Sequence, residues 1–305
     1  MALFFVLLLA AGAALAPGRA AAFTYGNIVV TRGGDVLEYR PDGVLVATIL
    51  VPYPPGARTA SDPLAGIAFD SDAHLAVFNG AGDPYLSVYD PSGPAWTHQS
   101  FAGWSTFPTP GLGGLGTIGR DVYVTDFGTT GAIQRGLIGF DGDAGYAPWR
   151  FADIFDMADL AIGPDGRVHA LLAFSSLVSV NDPVSGQEVG EVTLEGSVQA
   201  IALRADGAYY GVSGDGQVRR FTAQGTSVDT LATGIPGLID IAVGPGGDLV
   251  IGSALGEVVF VDAELTSART FLVGNGQTYV AWVPYHASTP ATPATWGRIK
   301  GRYRR

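Results

Sequence analysis

The sequence predicts an all-β protein, a six-bladed β-propeller of four-stranded blades. Short apolar runs alternate with turn residues along the chain, and a pair made of a large aliphatic residue and a small residue recurs about every forty residues. That period, with four strands in each repeat, is typical of propellers. The chain of 305 residues has room for six such repeats, whereas a seventh would need about forty more.

The clearest repeat spans residues 63–93. It holds three apolar runs, Gly66–Phe69, Leu75–Phe78 and Leu86–Tyr89, each of strand length and separated from the next by Asp, Ser, Gly or Pro. This pattern predicts an antiparallel meander, with a fourth strand through Ala95–Phe101. Such a unit cannot bury both of its faces alone, so it needs neighbouring copies of itself.

The recurring pair marks the innermost strand of each blade, because its small residue suits the crowded centre of a propeller. A tight turn and a second strand follow most copies. The six copies are Ile67-Ala68, Leu115-Gly116, Leu160-Ala161, Ile201-Ala202, Ile241-Ala242 and Val280-Ala281.

The two ends of the chain are predicted to complete one blade. Three strands fit residues 24–50, but an innermost strand is missing there, and the strand around Val280–Val283 has no further strands after it. Pairing it with the first unit would close the ring and remove the free edges. The first blade is then 24–50 plus 277–285, and the others are 64–104, 112–154, 157–196, 198–233 and 237–274.

The residues of the clearest repeat carry a family resemblance. The stretch GIAFDSDAHLAVFNGAGDPYLSVYDPSG resembles an NHL-type propeller repeat, and LAIGPDGRVHALL, IALRADGAYYGVS and IAVGPGGDLVIGS are weaker copies. The resemblance covers about residues 24–285. It implies an architecture and not an activity, because propellers host many functions.

The sequence also predicts export from a bacterial cell. Residues 3–15 are almost wholly apolar and Ala20-Ala21-Ala22 follows as a cleavage site, so 1–22 are expected to be a signal peptide and no membrane span to remain after cleavage. The positive residues usual before the apolar segment are missing, and a membrane anchor is the alternative, although the segment is short for a bilayer. The mature protein is expected to be secreted or periplasmic and monomeric.

Residues 23–287 are assigned to the propeller and 288–305 to a linker and tail. The linker is rich in Pro and Thr, and the tail WGRIKGRYRR carries five basic residues. The tail resembles short W-G-x-φ-K tails of exported bacterial proteins; a frayed basic end is the alternative.

The charge of the predicted propeller argues against nucleic acid as a partner. Residues 23–287 hold 11 arginines against 28 acidic residues, a net charge of −17. Such a body should repel nucleic acid and anionic lipid. Solubility is the simpler interpretation of this charge, and attraction of cations or basic partners is the alternative. The chain has no Cys and no G-x-S-x-G motif, and its four histidines fall at unlike positions in different repeats, so nucleophilic and zinc chemistry are not indicated.

Propeller geometry indicates where a site would lie. The residues just before the inner pairs should surround one mouth of the central channel, and three of them, Asp159, Asp240 and Tyr279, can bind a ligand. A second ring, where the second strands end, is predicted to include Arg32, Asn79 and Asp126. Asp159 and Asp240 are the candidate metal ligands, and Arg32 is the nearest candidate counter-charge. Solvated loop positions are the alternative for all of these residues.

Two functions remain open from sequence. The first is an exported binding or scaffold module for an unidentified protein or small molecule. The alternative is a channel-centred hydrolase or lyase that uses a divalent cation. Six-bladed lactonases of the gluconolactonase type are similar in placing Glu, Asn and Asp around the channel, but their own motifs are absent from this chain, so the analogy is one of fold. A divalent cation is the possible cofactor, and an enzyme is the less favoured expectation.

Overall fold

The computed structural model describes residues 23–52, 64–79, 85–91, 95–100, 114–125, 132–137, 147–151 and 157–284. In these ranges the chain forms six antiparallel sheets of four strands each, the blades of a β-propeller. The fold class predicted from the sequence is therefore confirmed. The predicted signal peptide, linker and basic tail lie outside the described residues, so the domain boundaries stay predictions.

Each blade is a meander whose strands run in order from the innermost outward. Blade one is β24 (Val280–Trp282), β1 (Ile28–Arg32), β2 (Asp35–Tyr39) and β3 (Leu45–Leu50); blade two is β4 (Leu64–Phe69), β5 (Leu75–Asn79), β6 (Tyr85–Asp90) and β7 (Ala95–Ser100); blade three is β8 (Leu115–Ile118), β9 (Asp121–Thr125), β10 (Ala132–Leu137) and β11 (Ala147–Phe151). Blade four is β12 (Met157–Ile162), β13 (Val168–Leu172), β14 (Leu177–Asn181) and β15 (Glu188–Thr193); blade five is β16 (Ala200–Leu203), β17 (Tyr209–Val212), β18 (Gln217–Phe221) and β19 (Ser227–Ala232); blade six is β20 (Leu238–Val243), β21 (Leu249–Ser253), β22 (Glu257–Val261) and β23 (Ala268–Leu272).

The last strand closes the ring as the sequence predicted. β24 pairs antiparallel with β1, and the facing residues are Val30 with Val280, Val29 with Ala281, and Ile28 with Trp282. Both strands are largely buried. The two ends of the described chain thus share one sheet, and neither strand leaves an unpaired edge at the centre of the propeller.

Glycine in the left-handed conformation makes the turns between the first and second strands of three blades. Gly166, Gly207 and Gly247 have φ angles of 75°, 83° and 90°. A side chain would strain this backbone conformation, whereas glycine adopts it freely. These glycines therefore form the tight turns that the sequence analysis predicted after the inner strands.

The core lies between the faces of neighbouring blades. Between blades five and six, for example, buried aliphatic residues such as Val212, Leu238 and Ile251 form one cluster. Between blades four and five, Leu171, Ile201 and other apolar residues pack around Phe221. Each blade buries both faces only because the ring supplies a neighbour on each side.

Tyrosine hydroxyls add polar links between blades. Tyr123 of blade three donates to the carbonyl of Pro183, at 3.2 Å, and Tyr210 of blade five donates to the carbonyl of Ala263, at 2.9 Å. Pro183 and Ala263 lie in the turns before the outermost strands of blades four and six. These bonds give both tyrosine hydroxyls an acceptor in the neighbouring blade.

No helix in the described ranges is long and apolar enough to cross a membrane.

Candidate binding site in the central channel

A channel of about 340 Å³ is bounded by the innermost strands of all six blades. Because every blade presents the edge of its innermost strand to this channel, residues distant in sequence meet there. Its wall includes three of the predicted site residues, Asp159, Asp240 and Tyr279. Apart from these two aspartates, no described residue in the wall carries a charged side chain.

A β-bulge precedes each of the two aspartates. The strand register shifts between Met157 and Asp159 in blade four and between Leu238 and Asp240 in blade six. The same shift occurs in blade two, where Gly66 takes the equivalent position. A bulge changes the direction of nearby side chains, and this local irregularity explains why both carboxylates point toward the next blade.

The two carboxylates accept hydrogen bonds from the inner strands of the following blades. Asp159 Oδ2 accepts from the backbone N–H of Ile201, at 2.7 Å, and Asp240 Oδ2 accepts from that of Val280, at 2.6 Å. Asp240 Oδ1 also accepts from the N–H of Ile241, at 3.0 Å. Each aspartate therefore supplies an acceptor to a backbone donor at the channel edge and connects two blades.

The three acidic groups share one electrostatic environment. Burial, and then repulsion by Asp240, holds the pKa of Asp159 well above its usual range, although backbone hydrogen bonds oppose the shift. Burial raises the pKa of Asp240 to about 7. Burial and the charges of both carboxylates raise the pKa of Tyr279. A cation in the channel would stabilise the ionised carboxylates and lower their pKa values.

The other end of the inner strands is apolar. Each residue of the wall there comes three positions after the residue that precedes the aliphatic–small pair of its strand. These residues are Phe69, Ile162, Leu203, Val243 and Trp282. These side chains are only partly buried. The indole N–H of Trp282 donates to the carbonyl of Ala242, at 3.2 Å, which fixes the ring against the neighbouring blade.

The structure places the two described members of the predicted second ring, Asn79 and Arg32, away from the channel wall. Asn79 is buried at the end of β5 and donates to the hydroxyl of Tyr85, at 3.1 Å. Arg32 is exposed at the end of β1, where its guanidinium lies 3.9 Å from the carboxylate of Asp35. Neither residue is part of the channel wall. Asp126 lies outside the described residues.

A compact group that the sequence analysis did not single out lies at the turn between β4 and β5. Potential ligand atoms of Asp70, Asp72 and His74 lie within 4.8 Å of one another. Asp70 Oδ1 accepts from the backbone N–H of Asp72 and of His74, each at 2.8 Å, and its Oδ2 lies 2.7 Å from His74 Nδ1. The spacing D-x-D-x-H is the signal in the sequence, and these bonds show that the group holds the turn together.

No family model matches the chain, and no curated protein is similar to it in sequence. Solved propellers are similar in fold. Virginiamycin B lyase from Staphylococcus aureus is 14% identical, with 82% of each chain covered and a TM-score of 0.56. A chain of the nidogen/laminin complex is 12% identical, with 85% of this chain and 99% of that chain covered and a TM-score of 0.63. A protein of unknown function from Bacteroides caccae is 13% identical, with 85% and 100% covered and a TM-score of 0.57.

At these identities the similarity shows the β-propeller fold alone. The resemblance to NHL-type repeats stays a prediction.

Proposed function

We propose that this chain is an exported binding module that holds the cationic group of a small ligand in its central channel. One observation carries the proposal: two carboxylates and a tyrosine, from three different blades, meet in a channel whose described wall has no basic side chain. Burial disfavours the ionised forms of Asp159 and Asp240, and a bound cation would stabilise those forms. The net charge of −17 over the predicted propeller would also attract cations from a distance.

Structural neighbours support binding as a role for the fold without naming a ligand for this chain. One structure, of a catalytically inactive virginiamycin B lyase at 14% identity and a TM-score of 0.54, contains quinupristin, and another matching chain belongs to the nidogen/laminin complex. Both a small molecule and a protein are therefore bound by proteins of this architecture. The cationic character of the ligand comes from Asp159 and Asp240 of this chain.

Calorimetric titration tests the proposal. The purified protein at pH 8 is titrated with calcium, magnesium, manganese, zinc and methylammonium, and we expect saturable heat from at least one of these cations. The variant Asp159→Asn/Asp240→Asn should lose it. The variant Asp206→Asn, in an exposed turn of blade five, is the matched control and should bind as the wild type does. Absence of heat with every cation, or equal heat in the double variant, would contradict the proposal.

The hydrolase or lyase alternative is favoured by the position of Asp240 in the channel wall, where burial raises the pKa of its carboxyl group to about 7. A carboxyl group with such a pKa can accept or donate a proton near neutral pH. A screen of lactones and esters, with Asp240→Asn as the control, tests it. Turnover that the substitution abolishes would favour the alternative over a purely binding role.

A further inference from the structure

We infer that the ligand is an organic ammonium compound with an apolar tail, seated with its ammonium group at Asp159 and Asp240 and its tail toward Trp282. This inference rests on the proposed function and specifies its ligand class. It follows from the distribution of polarity along the channel and from the hydrogen bonds that the carboxylates already make.

Polarity changes along the channel from one end of the inner strands to the other. In blades four and six an aspartate is followed three residues later by an aliphatic side chain in the same wall, Ile162 after Asp159 and Val243 after Asp240. Three residues of a strand span about 10 Å. A ligand that uses both ends therefore needs a cationic group and an apolar group roughly 10 Å apart at most.

The carboxylates suit an ammonium group better than a divalent metal ion. A carboxylate offers about four lone-pair sites, and backbone N–H groups occupy two of those on Asp240 and at least one on Asp159. Calcium needs six to eight oxygen ligands and zinc prefers His or Cys, but the described channel wall adds no third carboxylate, no His and no Cys. An ammonium group has only three donors to satisfy, and the carboxylate oxygens of Asp159 and Asp240 keep enough lone pairs to accept them.

The apolar end can bury the tail. Trp282, Val243 and Ile162 are partly exposed there, so a hydrocarbon chain would remove their surface, as well as its own, from water. Each buried methylene should strengthen binding about fourfold. The channel volume of about 340 Å³ accommodates a tail of this size but not a folded peptide.

The test compares straight-chain methyl-, butyl- and hexylammonium with butanol, hexanol, calcium and magnesium, by calorimetry at pH 8. We expect the dissociation constant to fall about fourfold per methylene from methyl- to butylammonium. Hexanol should bind at least tenfold more weakly than hexylammonium. Calcium and magnesium should not compete with hexylammonium at equal concentration.

Two variants separate the parts of the site. Asp240→Asn should weaken all ammonium ligands but leave hexanol unchanged, whereas Val243→Ser should reduce the dependence on chain length and leave methylammonium unchanged. The exposed-turn variant Asp206→Asn serves as the control for general charge effects. Should a variant fail to fold, the wild type alone suffices, because protonation of Asp240 should weaken hexylammonium binding progressively from pH 8 to pH 5.5.

The outcomes also distinguish this inference from the proposed function. Equal affinity for methyl- and hexylammonium would overturn the inference and leave the proposed function standing. Binding of calcium or magnesium in preference to hexylammonium, abolished by Asp240→Asn, would do the same. Binding of no cation at all would overturn both, and hexanol binding as tightly as hexylammonium would overturn the inference by showing an apolar site without a cationic one.

Discussion

The carboxylate of Asp240 accepts a hydrogen bond from the backbone N–H of Val280, 2.6 Å away. The two residues lie 40 positions apart, in blade six and in the strand that closes blade one. The bond between Asp159 and Ile201 repeats this arrangement between blades four and five. The acidic groups of the channel thus have a structural role as well as the proposed binding role, and the two roles can be separated by experiment.

Truncating Asp240 should destabilise the closure of the ring. In Asp240→Ala the N–H groups of Val280 and Ile241 lose their acceptor, and an unpaired buried donor costs about 1–3 kcal/mol. We expect the free energy of unfolding at pH 6, measured with urea, to fall by about that amount. Asp206→Ala, which removes a carboxylate from an exposed turn, should cost less. An equal loss in the two variants would show that the bond to Val280 is not special.

The pH dependence of stability follows from the raised pKa values. Because the pKa values of Asp159 and Asp240 are higher in the folded protein than in the unfolded chain, folding favours their protonated forms. Their contribution is fully present below the unfolded pKa, near 4, and is lost as the pH rises through the folded pKa, which is about 7 for Asp240. The melting temperature should therefore fall from pH 5 to pH 8 through these two groups.

The comparison with Asp159→Asn/Asp240→Asn isolates this effect, since all other titrating groups are shared. The double variant should show a smaller fall in melting temperature over the same pH range. Parallel curves for the wild type and the variant would contradict the assignment of raised pKa values to the channel aspartates.

The sequence predicted the inner strands of the fold more completely than the site. Pairs such as Ile67-Ala68 and Ile241-Ala242 occur at the crowded centre of the propeller, where the second residue must be small. They predicted the positions of these strands correctly. The strand around Val280 had no other predicted strands in its repeat. Because a sheet edge must be paired, this strand predicted the closure of the ring.

The sequence predicted only part of the site, because the residue pattern does not determine strand register or the distance of each strand from the axis. Aligning the pairs placed Asp159 and Asp240 beside the axis, but the bulges that turn them toward the next blade depend on pairing register. Asn79 and Arg32 were expected near the same mouth. They belong to second strands, which lie one strand spacing, about 4.8 Å, farther from the axis, and their side chains find partners there.

Truncation of the chain tests the importance of the closing strand. Ending the chain after Asn275 removes β24 and the buried residues Tyr279, Val280 and Val283, and it exposes the edge of β1. We expect a sharply lower melting temperature, or aggregation, in thermal unfolding followed by circular dichroism. Ending the chain after Ala287 keeps β24 and should leave the melting temperature nearly unchanged. Equal effects of the two truncations would place the end of the folded domain elsewhere.

Gly114 offers a last test of the channel geometry, because it lies against the backbone that carries Asp159. A Cβ atom at Gly114 would lie 2.3 Å from the backbone nitrogen of Leu160 and 2.8 Å from Asp159 Oδ1. Backbone atoms cannot move aside cheaply, so Gly114→Ala should destabilise the protein by about 1–3 kcal/mol or more and displace the carboxylate. Gly190→Ala, on the outermost strand of blade four, is the matched control, since nothing lies within 4 Å of its added Cβ. Urea unfolding should show a large loss for the first variant and little change for the second, and calorimetry should show weaker cation binding for the first alone. If Gly114→Ala has the same free energy of unfolding and the same cation affinity as the control, blade three does not approach Asp159 as closely as described.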